Sequence, residues 1–154
     1  MKQKKVELTL VGYNELVAEL ADLQNNKLPA AIERVAHARE QGDLAENAEY
    51  HAAREDHAAL VGRIEEISNI IERATIIKSN GGKDMVDVGS IVQVGLNGST
   101  HEFTIVGEWE ADPMAKKISH SSPLGKALMG KSIGDKVEVS APAGKVIYNI
   151  KGIK

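Results

Sequence analysis

The sequence contains no cysteine and very few aromatic residues. Without cysteine, the 154-residue chain can form neither disulfides nor a zinc ribbon of the Cys-x-x-Cys kind. Aromatic residues make up only 3% of it, which argues against a function based on stacking nucleic-acid bases. No apolar run approaches the roughly 18 residues of a membrane span, and the start, MKQKKVELTL, lacks the apolar core of a secretory signal. We therefore expect a cytoplasmic protein that has no membrane partner.

The acidic residues are concentrated in one part of the chain. Residues 28–77 contain ten acidic residues and five arginines, whereas residues 84–154 contain eight residues of each sign. Independent binding to nucleic acid requires a positive face, and neither part provides one. This distribution favours a protein partner or a metal ion.

Residues 9–77 have the periodicity of long helices, with Thr9 as the predicted N-cap. Pro29 is expected to kink the helix or to begin a second segment. Two arms, residues 13–40 and 47–74, would each span about 42 Å at 1.5 Å per residue. The apolar stripes are Tyr13, Leu16, Val17, Leu20 and Leu23, then Ile32, Val35, Ala36 and Arg39, and in the second arm Ala48, Ala52, Ala59, Leu60, Ile64, Ile67 and Ile71. They predict an antiparallel coiled-coil hairpin.

The apolar period changes from 3.6 to 2 after the turn-rich stretch KSNGGK. PAGK, at residues 142–145, predicts a hairpin turn. One short helix is predicted in SSPLGKALMG, with Ser122 as N-cap, Pro123 at the first helical position and Gly130 just beyond the end.

These patterns predict an α+β chain with two domains. A hairpin domain spans residues 1–78 and has an acidic tip near residues 41–49. A linker follows at residues 79–83. Residues 84–154 form a small antiparallel sheet with one short helix.

The tip, GDLAENAEY, contains three acids at a spacing of three: Asp43, Glu46 and Glu49. Asp-x-x-Glu before a helical run is a capping box, in which Asp43 accepts from the backbone of residue 46 and Glu46 reaches back. On spacing alone this is the more common explanation. The alternative is a Mg²⁺ site, because two carboxylates can share such an ion without enclosing it. The remaining ligands would then belong to a partner.

Three stretches resemble the bacterial Gre transcript-cleavage factors of the GreA type. They are the Thr-x-x-Gly-Tyr of residues 9–13, the GDLAENAEYHAARE of residues 42–55 and the ISHSSPLGKALMGKSIGDKVEV of residues 118–139. The resemblance covers nearly the whole chain, in the same order. It implies a coiled-coil hairpin followed by a domain like that of FK506-binding proteins. It also implies a factor that enters the secondary channel of bacterial RNA polymerase and stimulates cleavage of backtracked nascent RNA.

The resemblance also implies residue roles. Asp43 and Glu46 match the acids that help to hold the second Mg²⁺ in the polymerase active site, so the chain is an accessory factor and not itself an enzyme. It would bind no cofactor tightly alone. Arg54 matches a position that contacts the displaced RNA 3′ end, and Ser122 and Pro123 lie in the segment implied to dock on polymerase. We expect a monomer, and we interpret Glu49 as structural.

Three other functions fit the sequence less well. A Gre-like inhibitor would enter the same channel without promoting cleavage, but the tip keeps the ordinary acidic pattern. A prolyl isomerase needs more pocket aromatics than Phe103 and Trp109 provide, and Trp109 is expected to anchor a loop. A coiled-coil scaffold leaves the tip acids unexplained. Tyr50 is interpreted equally well as a core residue of the hairpin or as a residue that contacts RNA or polymerase.

Overall fold

The structure, a computed structural model, describes residues 3–43, 45–79 and 82–154. The chain divides into two compact units, Met1–Gly12 with Ala74–Lys154, and Tyr13–Arg73. The residues before and after the helical segment pair as strands, so they belong to the same unit. The unit boundaries therefore differ from the predicted domain boundaries at residues 78 and 84. Residues 80 and 81 of the predicted linker lie outside the described residues.

The helical unit consists mainly of two long arms. The first arm contains α1 (Leu10–Asp22), a π-helical turn (Leu23–Lys27) and α2 (Leu28–Glu40), and the second is α3 (Ala48–Glu72). The Asn47 side chain, just before α3, donates to the backbone oxygen of Ala38 near the end of α2. Farther along α3, Arg63 donates to Glu19 of α1. The arms are therefore antiparallel, as predicted. Among the described residues, no helix is both long enough and apolar enough to cross a membrane.

The seam between the arms follows a heptad pattern. Along α3, buried or half-buried side chains recur at alternating steps of three and four: Tyr50, Ala53, His57, Leu60, Ile64, Ile67 and Ile71. This is the spacing of a left-handed coiled coil. The predicted stripes were wrong at Ala48, Ala52 and Ala59 of the second arm and at Val17, Ile32, Ala36 and Arg39 of the first, all of which are exposed. In the second arm, small alanines give a weak periodic signal and the larger Tyr50 occupies the seam.

The π-helical turn inserts one residue into the seam of the first arm. Its buried or half-buried positions are Tyr13, Leu16, Leu20 and Leu23, and then Leu28, Ala31, Val35 and Ala38. The step from Leu23 to Leu28 is five, where an uninterrupted heptad would place Lys27. The backbone N–H of Leu28 donates to the oxygen of Leu23, five residues earlier. Pro29 explains the turn, since its ring lacks an N–H and clashes with the carbonyl four residues earlier in a regular α-helix.

Thr9 caps α1 as predicted, because its Oγ1 accepts from the N–H of Gly12 at 3.0 Å. The predicted helix over residues 9–77, however, ends at Glu72. A short strand follows, β2 (Ala74–Ile76), which pairs in parallel with β1 (Val6–Leu8). The β-branched Thr75 and Ile76 favour extended backbone, and the pairing continues as the N–H of Ile77 donates to the oxygen of Leu8 at 2.8 Å.

The second unit contains a five-stranded sheet in the order β5-β4-β3-β7-β6. Its elements are β3 (Ile91–Leu96), β4 (Ser99–Val106), β5 (Lys117–Ser119), α4 (Pro123–Leu128), β6 (Lys136–Ala141) and β7 (Gly144–Ile153). The predicted α+β organisation is confirmed. The sheet is mixed rather than wholly antiparallel, because β5 runs parallel to β4 after a long connection. The predicted hairpin turn at PAGK joins β6 to β7.

The core of this unit lies between the sheet and α4. Its buried members are Val86, Val88, Val92, Val94, Ile105, Leu128, Val137, Ile150 and Ile153. Gly125 permits the close approach of α4, since a Cβ at this position would collide with the backbone oxygen of Ser119. The predicted end of α4 is also confirmed, because Gly130 has φ +76°, a conformation that favours glycine.

Candidate functional site

The connector between α2 and α3 forms the tip of the hairpin, and Asn47 organises it. The Asn47 side chain accepts from the N–H of Tyr50 at 3.0 Å and donates to the backbone oxygen of Ala38 at 2.7 Å. It therefore caps α3 and also binds the last turn of α2. Sequence analysis missed this role, although Asn is among the preferred N-cap residues and stands directly before the helix.

The predicted capping box is consequently wrong. Asp43 Oδ1 accepts from the N–H of Ala45 at 3.1 Å, and α3 begins only at Ala48. In the described part of the chain, Glu46 makes neither a side-chain hydrogen bond nor an ion pair, and both acids are exposed. Leu44, between them, lies outside the described residues. The two acids therefore do not start the helix, and of their carboxylate oxygens Asp43 Oδ1 is engaged by the backbone of the connector.

The donor set at the tip suits a shared Mg²⁺ better than a self-contained metal site. Exposed carboxylate oxygens are the hard ligands that Mg²⁺ takes, usually one or two together with water and phosphate. Across residues 3–43, 45–79 and 82–154, no group of three or more His, Asp or Glu side chains could hold a metal ion. Asp43 and Glu46 can thus complete a site whose other ligands come from elsewhere.

Glu49, the third acid, is used within the hairpin. Arg34 of α2 donates to it through Nε at 2.6 Å and through Nη2 at 3.2 Å, and also contacts Asp56. The hydrogen bond from Arg34 lowers the pKa of the Glu49 carboxyl, and the bonds to Glu49 and Asp56 raise the pKa of the Arg34 guanidinium. This pairing supports the structural interpretation of Glu49.

Tyr50 lies in the hairpin core, since only 8% of its surface is exposed. Two arginines flank its ring: the guanidinium carbon of Arg54 lies 5.7 Å from the ring centre and that of Arg39 lies 6.0 Å from it. These distances permit cation–π attraction. The same side chains line a groove of about 410 Å³ beside the tip. Arg54 therefore lies against the Tyr50 ring together with Arg39, which sequence analysis did not single out.

The predicted docking segment lies at the start of α4. Ser122 Oγ accepts from the N–H of Gly125 at 3.0 Å and donates to the oxygen of Ser119 at 2.6 Å. Pro123 occupies the first helical position and is exposed. Both local predictions are confirmed, and the segment is fixed by its own hydrogen bonds.

Glu110 holds the connection between β4 and β5, a role that the sequence did not indicate. Its carboxylate accepts from the N–H of Thr9 at 2.9 Å, from the N–H of Gly107 at 3.1 Å and from the Thr9 hydroxyl. Gly12 makes room for it, because a Cβ there would collide with the Glu110 side chain. The side chain of Trp109, which was expected to anchor this loop, is 51% exposed.

Comparisons with known proteins identify the family of this chain. Residues 6–76 match the family described as "Transcription elongation factor, N-terminal", and residues 81–154 match "Transcription elongation factor, GreA/GreB, C-term". The transcription elongation factor GreA of Rhodospirillum rubrum is 43% identical over 154 residues, covering 98% of each chain. That of Bacillus anthracis is 40% identical over 155 residues, covering 99% of this chain and 98% of its own.

Among solved structures, GreA factor homolog 1 of Thermus thermophilus is 28% identical. The match has a TM-score of 0.46 and covers 98% of this chain and 99% of the other. The two matching families account for both units, and the relatives match over nearly their whole length. The chain belongs to the GreA/GreB family of transcription elongation factors.

Proposed function

We propose that this elongation factor binds bacterial RNA polymerase, enters its secondary channel with the hairpin tip and stimulates the polymerase's own cleavage of backtracked nascent RNA. The observation that carries the proposal is the state of the tip acids. Asn47 caps α3, so Asp43 and Glu46 remain exposed and available to a ligand outside this chain. A hairpin that only needed a helix start would not require them.

In this proposal Asp43 and Glu46 contribute carboxylate oxygens to a Mg²⁺ whose other ligands belong to polymerase. When bound there, such an ion activates a water and neutralises charge on the phosphate. The role of this chain is to present the two carboxylates on a fixed support. The cap and tether made by Asn47 and the bidentate pair between Arg34 and Glu49 hold the connector between the arms.

Two further contacts belong to the same proposal. Arg54, packed on the Tyr50 ring, contacts the displaced 3′ end of the RNA through its guanidinium, whose planar fork suits phosphate oxygens. Ser122 and Pro123 dock on polymerase. The factor acts as a cytoplasmic monomer and does not hydrolyse RNA alone.

The test is cleavage in stalled, backtracked elongation complexes with the full-length protein. Replacing Asp43 by Asn and Glu46 by Gln keeps the size of both side chains and removes both negative charges. We expect the stimulated rate to fall by about two to three orders of magnitude, as for loss of roughly 3–4 kcal/mol of transition-state stabilisation. Affinity for polymerase and thermal stability should stay near those of the wild type.

The matched control is Glu40→Gln, which removes an exposed charge from the last residue of α2. It should leave the cleavage rate unchanged. If the Asp43/Glu46 variant folds, binds and still stimulates cleavage normally, the assigned role of the acids is wrong. If the wild-type protein binds polymerase and slows it without shortening the RNA, the inhibitor function is correct instead.

A further inference from the structure

The connection between β4 and β5, residues 107–117, exposes two large apolar side chains. Trp109 is 51% exposed and Met114 is 94% exposed. Trp109 is also the single tryptophan in the chain. Tryptophan is among the residues most enriched at the energetic centres of protein interfaces. A tryptophan that is half exposed on a loop therefore calls for an explanation.

The loop is held in place by polar contacts that do not involve the indole. The Glu110 carboxylate binds Thr9 and Gly107, as described above. Asp112 and Lys117 exchange two backbone hydrogen bonds of 2.9 Å, and Asp112 Oδ1 accepts from the N–H of Met114 at 3.0 Å. A partner that bound this loop would pay little to order it, and such preorganisation increases affinity.

The loop is continuous with the segment assigned to docking. Ser121, next to Ser122, donates from Oγ to Oε1 of Glu108 at 2.9 Å, and Glu108 precedes Trp109. Ser121 Oγ also lies 2.7 Å from Ser119 Oγ. One hydrogen-bonded network therefore joins the start of α4 to the residue beside the indole.

Two exposed acids, Glu108 and Asp112, stand close to Trp109 in the sequence of the loop, and two lysines, Lys116 and Lys117, end it. Glu7 of β1 also approaches the loop, since its backbone oxygen lies where a Cβ of Gly107 would be, but its carboxylate pairs with His120 Nε2 at 2.8 Å. A complementary partner would present an apolar cleft for the indole with basic side chains at its rim.

We infer that residues 107–117 form a second part of the polymerase-docking surface, in which Trp109 and Met114 insert into an apolar, basic-rimmed cleft of RNA polymerase. This inference rests on the proposed function. The partner is a protein surface rather than RNA, because the exposed carboxylates of Glu108 and Asp112, on either side of Trp109 in the sequence, would repel phosphates.

The first experiment measures the affinity of full-length variants for polymerase and their cleavage rate at saturating concentration. Trp109→Ala should weaken binding by about 10- to 100-fold and leave the saturated cleavage rate unchanged, since the tip is intact. The matched control is Ile147→Ala, at a side chain 54% exposed on β7, which β3 separates from β4. It should bind like the wild type.

The second experiment does not depend on a substitution. Incorporation of 5-fluorotryptophan gives this protein one ¹⁹F resonance, because Trp109 is its single tryptophan. On addition of unlabelled polymerase, the resonance should shift and lose its sensitivity to a soluble paramagnetic quencher. A shift that instead follows the concentration of the factor alone would indicate contact between two copies and would overturn the inference.

The outcomes separate this inference from the proposed function. If the wild-type protein neither binds polymerase nor stimulates cleavage, the proposed function fails. If it does both, but Trp109→Ala binds as tightly as Ile147→Ala and the ¹⁹F label stays accessible in the complex, only the role of residues 107–117 is wrong.

Discussion

The side chain of Asn47 donates a hydrogen bond to the backbone oxygen of Ala38 at 2.7 Å, across the connector between α2 and α3. The same side chain caps α3 through the N–H of Tyr50. One residue thus joins the end of one arm to the start of the other. Asn47 therefore caps α3 without Asp43 or Glu46, although both acids lie only a few residues before it.

Asn47→Ala removes both contacts and should lower the free energy of unfolding of the hairpin by about 1–2 kcal/mol. Asn47→Asp keeps the acceptor for Tyr50 but loses the donor for Ala38, so it should cost about 1 kcal/mol. Urea unfolding followed by circular dichroism at 222 nm measures both. Equal losses in the two variants would mean that the cap contributes nothing and only the tether to Ala38 matters.

Two helical glycines should respond to alanine in opposite directions. Gly12→Ala places a Cβ against the Glu110 side chain and should destabilise the protein by about 1–3 kcal/mol. Gly62→Ala, in α3, meets nothing within 4 Å and should stabilise it by about 0.5–1 kcal/mol.

A double-mutant cycle tests the cause of the Gly12 effect. Glu110→Ala removes the side chain that a Cβ at residue 12 would meet. In that background, Gly12→Ala should be nearly neutral. If it costs as much as in the wild type, the collision with Glu110 is not the cause.

The pairing of Glu49 with Arg34 should make the hairpin sensitive to acid. The hydrogen bond from Arg34 lowers the pKa of the Glu49 carboxyl in the folded state. Its contribution to stability is therefore fully present above the unfolded-state pKa of about 4.3 and is lost as the pH falls through the lower folded-state value. NMR titration of the Glu49 carboxyl carbon should show this depressed pKa, and Arg34→Gln should return it toward normal. An unchanged titration in that variant would contradict the pairing.

Arg54 should act on the rate of cleavage rather than on docking. Arg54→Gln should lower the stimulated rate by about tenfold, equivalent to roughly 1.4 kcal/mol, with unchanged affinity for polymerase. Arg54→Lys keeps the charge but loses the planar fork, so it should recover only part of the rate. Arg73→Gln, at the opposite end of α3, is the matched control and should behave like the wild type. Full activity of Arg54→Gln would exclude the assigned contact with RNA.

Strong local signals made much of the fold predictable. Thr9 and Ser122 have hydroxyl side chains that suit the N-cap, and both cap a helix. Gly130 has the backbone freedom that the position after a helix requires, and it occupies that position. The tip was harder, because Asp43 and Asn47 are both good N-caps four residues apart. The bond from Asn47 to Ala38 favours the second, and it depends on the contact between the two arms, which sequence spacing does not show.

The remaining differences arise from contacts that are distant in the sequence. Val6–Leu8 and Ala74–Ile76 are too short to be recognised as strands and become strands only by pairing with each other. Glu110 resembles any other loop acid until the fold brings Thr9 to it. The exposure of Trp109 could not be inferred either, since an indole in a loop packs inward in most proteins.

The heptad seam of the hairpin has a consequence for its reach. Since buried positions on α3 recur every seven residues, the arms can be lengthened or shortened together only in whole repeats if the same side chains are to meet. Each repeat moves the tip by about 10 Å. The length of the hairpin, and with it the position of the tip, can therefore change only by whole repeats. Smaller changes require an inserted residue, such as the one in the π-helical turn at Leu23–Lys27.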